Sequence, residues 1–195
     1  MQDGPLTEQY GVAKDFMLDI GCGPGGVSVN LANSFKQVTA IDISDMMLDV
    51  LRQEVKSRGI DNITPLLGDC QEIITKIDRN CDLIVASNCI DRLSNPSEFL
   101  KNACRKLNPA TTNSKSLLII CTPNTWLEKH TPKCNWIGGV KKDAENYFSR
   151  QGLEEILCND MDLQLVDERV FDFVLPNGDG TFQYLLTDVY CFLKG

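Results

Sequence analysis

The chain has 195 residues, of which 43% are hydrophobic and 24% charged, and its formal net charge is −8 at pH 7. This length and apolar content suit one globular domain with a sizeable core. The acidic balance disfavours a nucleic-acid enzyme, which usually neutralises phosphates with a basic face. No apolar run is long enough to span a bilayer, and residues 1–14 lack a signal-peptide pattern. We therefore expect a cytoplasmic protein that binds neither nucleic acid nor membranes.

The cysteines indicate the redox environment. There are nine, an odd number, and no two of them form a C-x-x-C pair. Several lie in apolar, strand-like runs, where a free cysteine behaves as a small hydrophobic residue. The sequence therefore predicts reduced thiols and no metal site.

Apolar runs alternate with helical patterns along most of the chain. Strands are predicted at 16–20, 38–43, 63–67, 81–87 and 117–121. After the first strand, Val27, Leu31 and Phe35 recur at helical spacing. The second helix begins at the N-cap Ser44, buries Met47, Leu51 and Val55, and ends at Gly59. A short helix is predicted at 72–77. The last helix begins at Asn95-Pro96 and buries Phe99, Leu100, Ala103, Cys104 and Leu107.

The last part of the chain does not follow this alternation of strands and helices. Two strand-like runs, 163–174 and 182–193, are separated only by a turn-rich stretch at 176–180. That spacing is typical of a hairpin, so the last strand should run antiparallel. We therefore predict a single α/β domain over residues 1–195, with a mostly parallel, seven-stranded, Rossmann-like sheet covered by helices on both faces.

A glycine-rich turn follows the first predicted strand. Gly21, Gly23 and Gly26 satisfy G-x-G-x-x-G between a strand and a helix, which lets a ligand approach the main chain closely. Dehydrogenases, flavoproteins and methyltransferases all use this motif, so it does not by itself choose between them.

Three carboxylates narrow the choice. Asp19 lies two residues before the first glycine, where a nucleotide dehydrogenase usually has an apolar residue. Its carboxylate can contact a cationic ligand. Asp42 ends the second strand, where a carboxylate can accept both ribose hydroxyl protons. Asp69 follows the third strand and can meet an adenine amino group. Each of them could instead cap a helix or lie in a solvated turn.

Together with the terminal hairpin, these positions resemble class I S-adenosylmethionine (SAM)-dependent methyltransferases. The resemblance implies SAM as cofactor and S-adenosylhomocysteine (SAH) as product. The residues it assigns to cofactor binding are Asp19, Gly21, Cys22, Gly23, Gly25, Asp42, Ile43, Asp69, Cys70 and Asn88.

The segment after the fourth strand argues against base-methylating enzymes. It reads Ser87-Asn88-Cys89-Ile90-Asp91-Arg92-Leu93. DNA amino-methyltransferases typically carry N/D-P-P-Y/F there, and cytosine C5 enzymes place a cysteine directly after a proline. Both absences agree with the acidic charge and favour a small-molecule acceptor.

Residues 123–147 form a long segment without helical periodicity that contains Trp126 and Trp136. Such segments in compact domains are usually functional, and wet tryptophans are unfavourable, so we predict a packed lid made flexible by Gly138-Gly139. The alternative is a rigid loop that covers the sheet edge.

Three motifs resemble the C-terminal methyltransferase domain of ovothiol synthases. They are residues 88–93 (NCIDRL), 125–132 (TWLEKHTP) and 135–139 (NWIGG). The resemblance covers the chain from Phe16 onward and implies methylation of the imidazole nitrogen of 5-thiohistidine that lies nearest the side chain. The glycine turn departs from that family's usual G-C-A-V-G. Larger relatives also carry an upstream sulfoxide synthase, so association with such an enzyme is a further expectation.

We place the acceptor near the end of the fourth strand, where ligands of open α/β sheets bind. Asn88 and Asp91 are expected to line its site, and Arg92 to pair with a carboxylate unless it forms a salt bridge with Asp91 or Glu98. Trp126, Trp136 and Tyr184 are expected to wall the pocket, with core packing as the alternative.

His130 is the only histidine, but it occupies a lid position that is not usually histidine in the resembling family, so no general-base role is assigned to it. Three other functions stay open. They are methylation of another small acceptor, non-catalytic SAM binding, and a nicotinamide-dependent dehydrogenase, which Asp19 and the terminal hairpin disfavour.

Overall fold

In the computed structural model, which describes residues 6–142, 145–176 and 181–195, a seven-stranded sheet forms the centre of the molecule. The strands in chain order are β1 (Phe16–Ile20), β2 (Gln37–Asp42), β3 (Ile63–Leu67), β4 (Leu83–Ser87), β5 (Ser116–Thr122), β6 (Val140–Lys142), β7 (Glu145–Tyr147), β8 (Leu163–Pro176) and β9 (Phe182–Lys194). The sheet order is β3-β2-β1-β4-β5-β9-β8, and β6 pairs with β7 in a separate ribbon.

Strand directions follow the prediction. β1 to β5 pair in parallel, whereas β9 runs antiparallel to both β5 and β8. Because β1 to β5 run in the same direction, their carboxyl ends lie along one edge of the sheet. The seven-stranded, mostly parallel sheet with an antiparallel last strand is thereby confirmed.

Helices cover both faces of the sheet. They are α1 (Leu6–Gln9), α2 (Gly26–Leu31), α3 (Asp45–Arg58), α4 (Cys70–Lys76), α5 (Pro96–Lys106) and α6 (Ser149–Glu154), which continues as a π-helical turn at Glu155–Asn159. Residues of α3 pack on one face with Met17 and Val85, whereas α4, α5 and α6 pack on the other with Leu18 and Ile84. None of the helices in the described part of the chain is long and apolar enough to cross a bilayer.

Helix boundaries agree with the sequence better than the buried positions do. Ser44 caps α3 by accepting a hydrogen bond from the Met47 amide at 3.4 Å, and Gly59 ends that helix at φ 64°. The predicted core position Met47 is wrong, because its side chain is 42% exposed. The helix instead turns Leu48 and Leu51 towards the sheet, one residue out of phase with the prediction at its first turn.

Two further predictions need correction. The fourth strand begins at Leu83, because Cys81 forms only an isolated bridge with Leu107. The helix α6 was not predicted. The predicted turn at 177–180, residues 143 and 144 of the predicted lid, and residues 1–5 lie outside the described residues.

The hairpin of β8 and β9 extends past the carboxyl edge of the sheet. Thr122, the last residue of β5, pairs with Asp188, so the earlier part of β9 pairs with β8 alone among the described strands. Among its described side chains, this projection exposes the large apolar groups of Val170, Phe171, Val174, Phe182, Tyr184 and Leu186.

Candidate functional site

The glycine turn joins β1 to α2 in a conformation that other residues adopt with strain. Gly21, Gly23 and Gly25 have φ values of 65°, 53° and 91°. A Cβ on Gly21 would lie 2.8 Å from the Cβ of Cys89, and one on Gly25 would lie 2.2 Å from Leu51 Cδ1. Backbone conformation and close packing both require glycine there.

Asp19, the penultimate residue of β1, is fully buried below this turn. Its Oδ2 accepts hydrogen bonds from the amide and the hydroxyl of Ser28, at 3.0 and 2.5 Å. Its Oδ1 is buried without a partner among the residues that the structure describes. Burial raises the pKa of Asp19 to about 6, although the Ser28 hydrogen bonds lower it. The side chain thus presents a buried acceptor that favours a cationic ligand.

Asp42 ends β2 and ties two backbone segments together. Its Oδ2 accepts from the Gly23 amide and its Oδ1 from the Ser44 amide, each at 2.8 Å. A carboxylate oxygen has two lone pairs, so each oxygen retains one for a further donor. The predicted pairing with two ribose hydroxyls is therefore compatible with these contacts.

Asp69 is the N-cap of α4, and this was one of the two alternatives to adenine binding in the sequence analysis. Its Oδ1 accepts from the Gln71 amide at 2.8 Å. The side chain of Gln71 then reaches the loop before α5, where its Oε1 accepts from the Asn95 amide at 2.9 Å. No sequence pattern selects Gln71, because its partner lies 24 residues away along the chain.

A cavity of about 240 Å³ opens at the carboxyl edge of β1 to β4. Predicted site residues on its wall are Gly21, Asp42, Ile43, Asp69, Cys70, Asn88 and Arg92, joined by Gly68, Gln71, Cys89 and Leu93. The other predicted cofactor residues, Asp19, Cys22, Gly23 and Gly25, belong to β1 and the turn rather than to this wall.

The segment after β4 carries the predicted acceptor residues. Asn88 has a left-handed backbone with φ 53°, and its Oδ1 is buried without a partner in the described part of the chain. Asp91 is fully buried, and its Oδ2 accepts from Arg92 Nη1 at 2.8 Å. The Arg92 side chain is 38% exposed and also donates to the Thr125 carbonyl at 2.7 Å. The structural salt bridge to Asp91, one of the alternatives for Arg92, is therefore present.

Comparison with known proteins relates part of the chain to methyltransferases. The model of a methyltransferase domain family matches residues 17–110, from β1 to just past α5. Residues 17–110, just under half of the chain, are thereby similar to methyltransferase domains, and the fold is one that SAM-dependent methyltransferases share. This similarity implies SAM as the cofactor.

Curated relatives of this methyltransferase domain align over part of their length. The probable cobalt-precorrin-6B C(15)-methyltransferase (decarboxylating) of Methanococcus maripaludis strain C6 is 36% identical over 80 residues, which are 41% of this chain and 44% of that protein. The ubiquinone biosynthesis O-methyltransferase of Coxiella burnetii is 28% identical over 104 residues, 53% of this chain and 44% of that protein. Each match thus spans less than half of the relative.

Solved structures share the fold over almost the whole chain. A SAM-dependent methyltransferase from Methanosarcina mazei superposes with a TM-score of 0.64 at 19% identity and covers 100% of this chain and 99% of its own. A SAM-dependent methyltransferase from Clostridium acetobutylicum gives 0.67 at 16% identity, over 97% of this chain and 88% of its own. The class I methyltransferase fold is therefore not confined to residues 17–110.

The residues of the methyltransferase domain fit SAM. The buried, unpartnered Asp19 Oδ1 suits the cationic methionyl end, and the free lone pairs of Asp42 suit ribose hydroxyls. The glycine turn leaves the main chain open for a close approach. The volume of the cavity is smaller than that of typical ligand pockets, which is about 300–1,000 Å³. Its size suits part of the cofactor, such as the nucleoside.

The predicted lid segment packs onto the domain through its two tryptophans, as both the lid and the rigid-loop alternative require. Trp126 is buried, and its Nε1 donates to Ser149 Oγ at 3.4 Å. The half-buried Trp136 donates to the Thr131 carbonyl at 2.8 Å. Both rings pack against the core on the α5 face, which was the alternative for them. Residues 126 and 136 therefore pack the segment onto the domain rather than wall the cavity.

Tyr184 and His130 lie away from the cavity. Tyr184 is 68% exposed on the projecting part of β9 and does not belong to the wall of this cavity, so its place in an acceptor pocket stays a prediction. His130 is exposed and lies in a turn, and its backbone amide donates to the Leu127 carbonyl.

The cysteines are all free thiols, and burial raises the pKa of Cys22 and Cys89 beside the glycine turn. Within the described ranges, no group of three His, Cys, Asp or Glu residues is arranged to hold a metal ion.

Proposed function

We propose that this chain transfers a methyl group from SAM to a small-molecule acceptor, and that the acceptor is 5-thiohistidine, which becomes ovothiol. The observation that carries the finer proposal is the mutual contact of the three resembling motifs. Asp91 accepts from the Thr125 amide and hydroxyl at 3.1 and 2.8 Å. Thr131 donates to the Leu93 carbonyl at 2.7 Å, and Trp136 donates to Thr131. The motifs thus behave as one unit beside the cavity.

Bound SAM supplies an electrophilic methyl group on a cationic sulfur, and a neutral imidazole nitrogen is a competent nucleophile for it. The protein's task is mainly alignment, because such a displacement needs little acid–base chemistry. Asp19 faces the positive charge, and Asp42 with the glycine turn orients the nucleoside. Asn88 offers a buried amide oxygen at the end of β4, and Arg92 a partly exposed cation for a carboxylate. These two side chains would hold the acceptor.

A second candidate is methylation of another small acceptor. The names of the two curated relatives refer to a carbon and to an oxygen methylation, so the domain type accommodates different nucleophiles. The net charge of −8 supports a small acceptor over a nucleic acid in either case. We also propose a cytoplasmic location, which nine free cysteines support, and cooperation with a separate or upstream sulfoxide synthase.

The test is transfer of labelled methyl from SAM to 5-thiohistidine, with histidine and glutathione as control acceptors. We expect one methyl on the imidazole nitrogen of 5-thiohistidine, identified by mass spectrometry and NMR, and slower or no transfer to the controls. Labelling of glutathione, or SAM binding without any transfer, would overturn the assignment.

A further inference from the structure

Two buried side-chain oxygens close to Arg92, which contacts Asp91 and Thr125 and lines the cavity, lack hydrogen-bond donors. They are Oδ1 of Asp91 and Oδ1 of Asn124, and neither has a partner within residues 6–142, 145–176 and 181–195. Asp91 is 0% exposed. Leaving a buried acceptor unpaired is unfavourable, and each such group in a native fold calls for an explanation. A donor on a ligand supplies one here, because both residues lie at the edge of the sheet that binds ligands.

The two oxygens belong to one connected arrangement. Asp91 Oδ2 accepts from the Thr125 amide at 3.1 Å, and Asn124 directly precedes Thr125. Asn124 follows β5 and has a left-handed backbone with φ 55°. Its Nδ2 donates to Asp188 Oδ2 at 2.7 Å, and this bond fixes which end of the amide is free. Oδ1 of Asn124 is therefore an acceptor held in place by β9.

The charge around these oxygens favours a positively charged group. Asp91 and Asp188 are carboxylates, and Tyr190 binds Asp188 through its hydroxyl at 3.3 Å. The nearby cation is Arg92, which lines the cavity and contacts Asp91 at 2.8 Å. An acidic side chain beside a partly exposed guanidinium matches the two charges of a zwitterion. A bound ammonium group would donate to the free Oδ1 of Asp91, whose Oδ2 keeps the guanidinium, and a bound carboxylate would pair with the exposed part of Arg92.

We propose that Asn124, together with Asp91, binds the ammonium group of the methyl acceptor while Arg92 binds its carboxylate. The site thereby selects acceptors that carry an α-amino acid head group. This inference rests on the proposed function as a small-molecule methyltransferase and names the part of the acceptor that is recognised. Asn124 acts as a specificity-determining residue, since it binds a part of the acceptor remote from the nucleophile.

The variant that tests this is Asn124→Gly, which removes the amide while glycine tolerates the left-handed backbone. The matched control is Asp162→Gly, because Asp162 is an exposed residue with φ 57° remote from the cavity. Each protein is assayed with 5-thiohistidine and with its analogue that lacks the amino group. A further pair, 3,4-dihydroxyphenylalanine and 3-(3,4-dihydroxyphenyl)propionate, keeps the carboxylate and differs in the same amino group on another nucleophile. SAH affinity and thermal midpoints are measured alongside to detect a loss of fold.

For the amino-bearing acceptor, Asn124→Gly should lower kcat/KM about 10- to 100-fold, chiefly through KM, as expected for loss of a hydrogen bond to a charged group. For the analogue without the amino group it should change kcat/KM less than about twofold, and Asp162→Gly should change neither. Equal losses on both acceptors, or no loss on either, would overturn the inference.

The design separates this inference from the proposed function. If the parent protein methylates 5-thiohistidine and its analogue lacking the amino group equally well, the inference fails and the proposed function stands. If it methylates 3,4-dihydroxyphenylalanine but not 5-thiohistidine, with the same response to Asn124→Gly, the acceptor assignment fails and the inference stands. If it methylates none of the four, binding of 5-thiohistidine to the SAH complex decides: weakened binding in Asn124→Gly supports the inference, and unchanged or absent binding overturns it.

Discussion

The hydroxyl of Ser28 lies 2.5 Å from Oδ2 of Asp19, and the Ser28 amide donates to the same oxygen, so that α2 holds the buried carboxylate from one side only. The other oxygen has no partner in the described structure. Two donors lower the pKa of Asp19, but burial outweighs them and raises it to about 6. A displacement from 3.8 to about 6 corresponds to about 3 kcal/mol at about 1.4 kcal/mol per unit of pKa. The ionised group is therefore unfavourable in the fold until a cation neutralises it.

The first prediction concerns the pH dependence of SAM affinity. Cationic SAM favours the ionised form of Asp19, so its affinity should rise as the pH increases from 5 to 7 and then level off. Calorimetry across this range should also show proton release on binding near pH 6. Asp19→Asn should bind SAM more weakly and lose the pH dependence. A flat affinity profile for the parent protein would contradict this role of Asp19.

Without ligand, the same residue predicts the opposite trend in stability. The folded state retains the Asp19 proton above the pH at which the unfolded chain loses it. The contribution of Asp19 to the free energy of unfolding should therefore be fully present below about pH 4 and decline through about pH 6. Urea titrations of the parent protein and Asp19→Asn should diverge between these values. Parallel pH profiles would show that Asp19 titrates normally.

Asp42 should be needed for the nucleoside. Asp42→Asn replaces one acceptor oxygen by an amide nitrogen. That nitrogen would face one of the two backbone N–H groups that now donate hydrogen bonds to the carboxylate, so this hydrogen bond would be lost. We expect SAH affinity to fall about 10- to 100-fold, as for loss of charge-assisted hydrogen bonds. Asp49→Asn is the control, because Asp49 pairs with Arg52 on the exposed surface of α3. If both variants bind SAH equally, the ribose assignment fails.

A pair of glycine variants tests the turn itself. Gly21→Ala adds a Cβ 2.8 Å from Cys89 Cβ at a φ of 65° and should destabilise the fold by about 1–3 kcal/mol. Gly26→Ala adds a Cβ with no atom within 4 Å at the start of α2 and should be neutral or slightly stabilising. Chemical denaturation followed by circular dichroism measures both. Equal stabilities for the two variants would refute the packing argument.

Arg92 should affect the acceptor more than the cofactor. Arg92→Ala removes the guanidinium from the cavity wall and from Asp91, so we expect the acceptor KM to rise about tenfold, as for loss of one hydrogen bond to a charged group. SAH affinity should change little. Arg105→Ala is the matched control, because Arg105 lies on α5 and pairs loosely with Glu98 at 3.7 Å. An unchanged acceptor KM in Arg92→Ala would leave Arg92 with a structural role only.

The sequence was sufficient where local chemistry decides the structure. Ser44 and Asn95 cap their helices as predicted, and the alternating apolar runs and the terminal hairpin specify the sheet. It was insufficient where distant segments meet. Ser28, Gln71 and Asn124 acquire their roles from partners that only the folded chain brings near. These residue types have no periodicity or spacing that marks them.

The aromatic residues show a different limit. Trp126 and Tyr184 were both predicted to wall the acceptor pocket, with core packing as the alternative. The fold buries Trp126 in the core and leaves Tyr184 on the projecting hairpin. Hydrophobicity predicts that an aromatic ring tends to be buried, but it does not specify which part of the protein buries it.

Isothermal titration of the intact chain with SAM, SAH and NAD tests most directly whether the edge holding Asp19, Gly21 and Asp42 is a SAM site. We expect saturable, one-to-one binding of SAM and SAH, weakened in Asp19→Asn and Asp42→Asn, and no heat with NAD. Saturating binding of NAD, or no binding of SAM at concentrations that saturate other methyltransferases, would contradict the account.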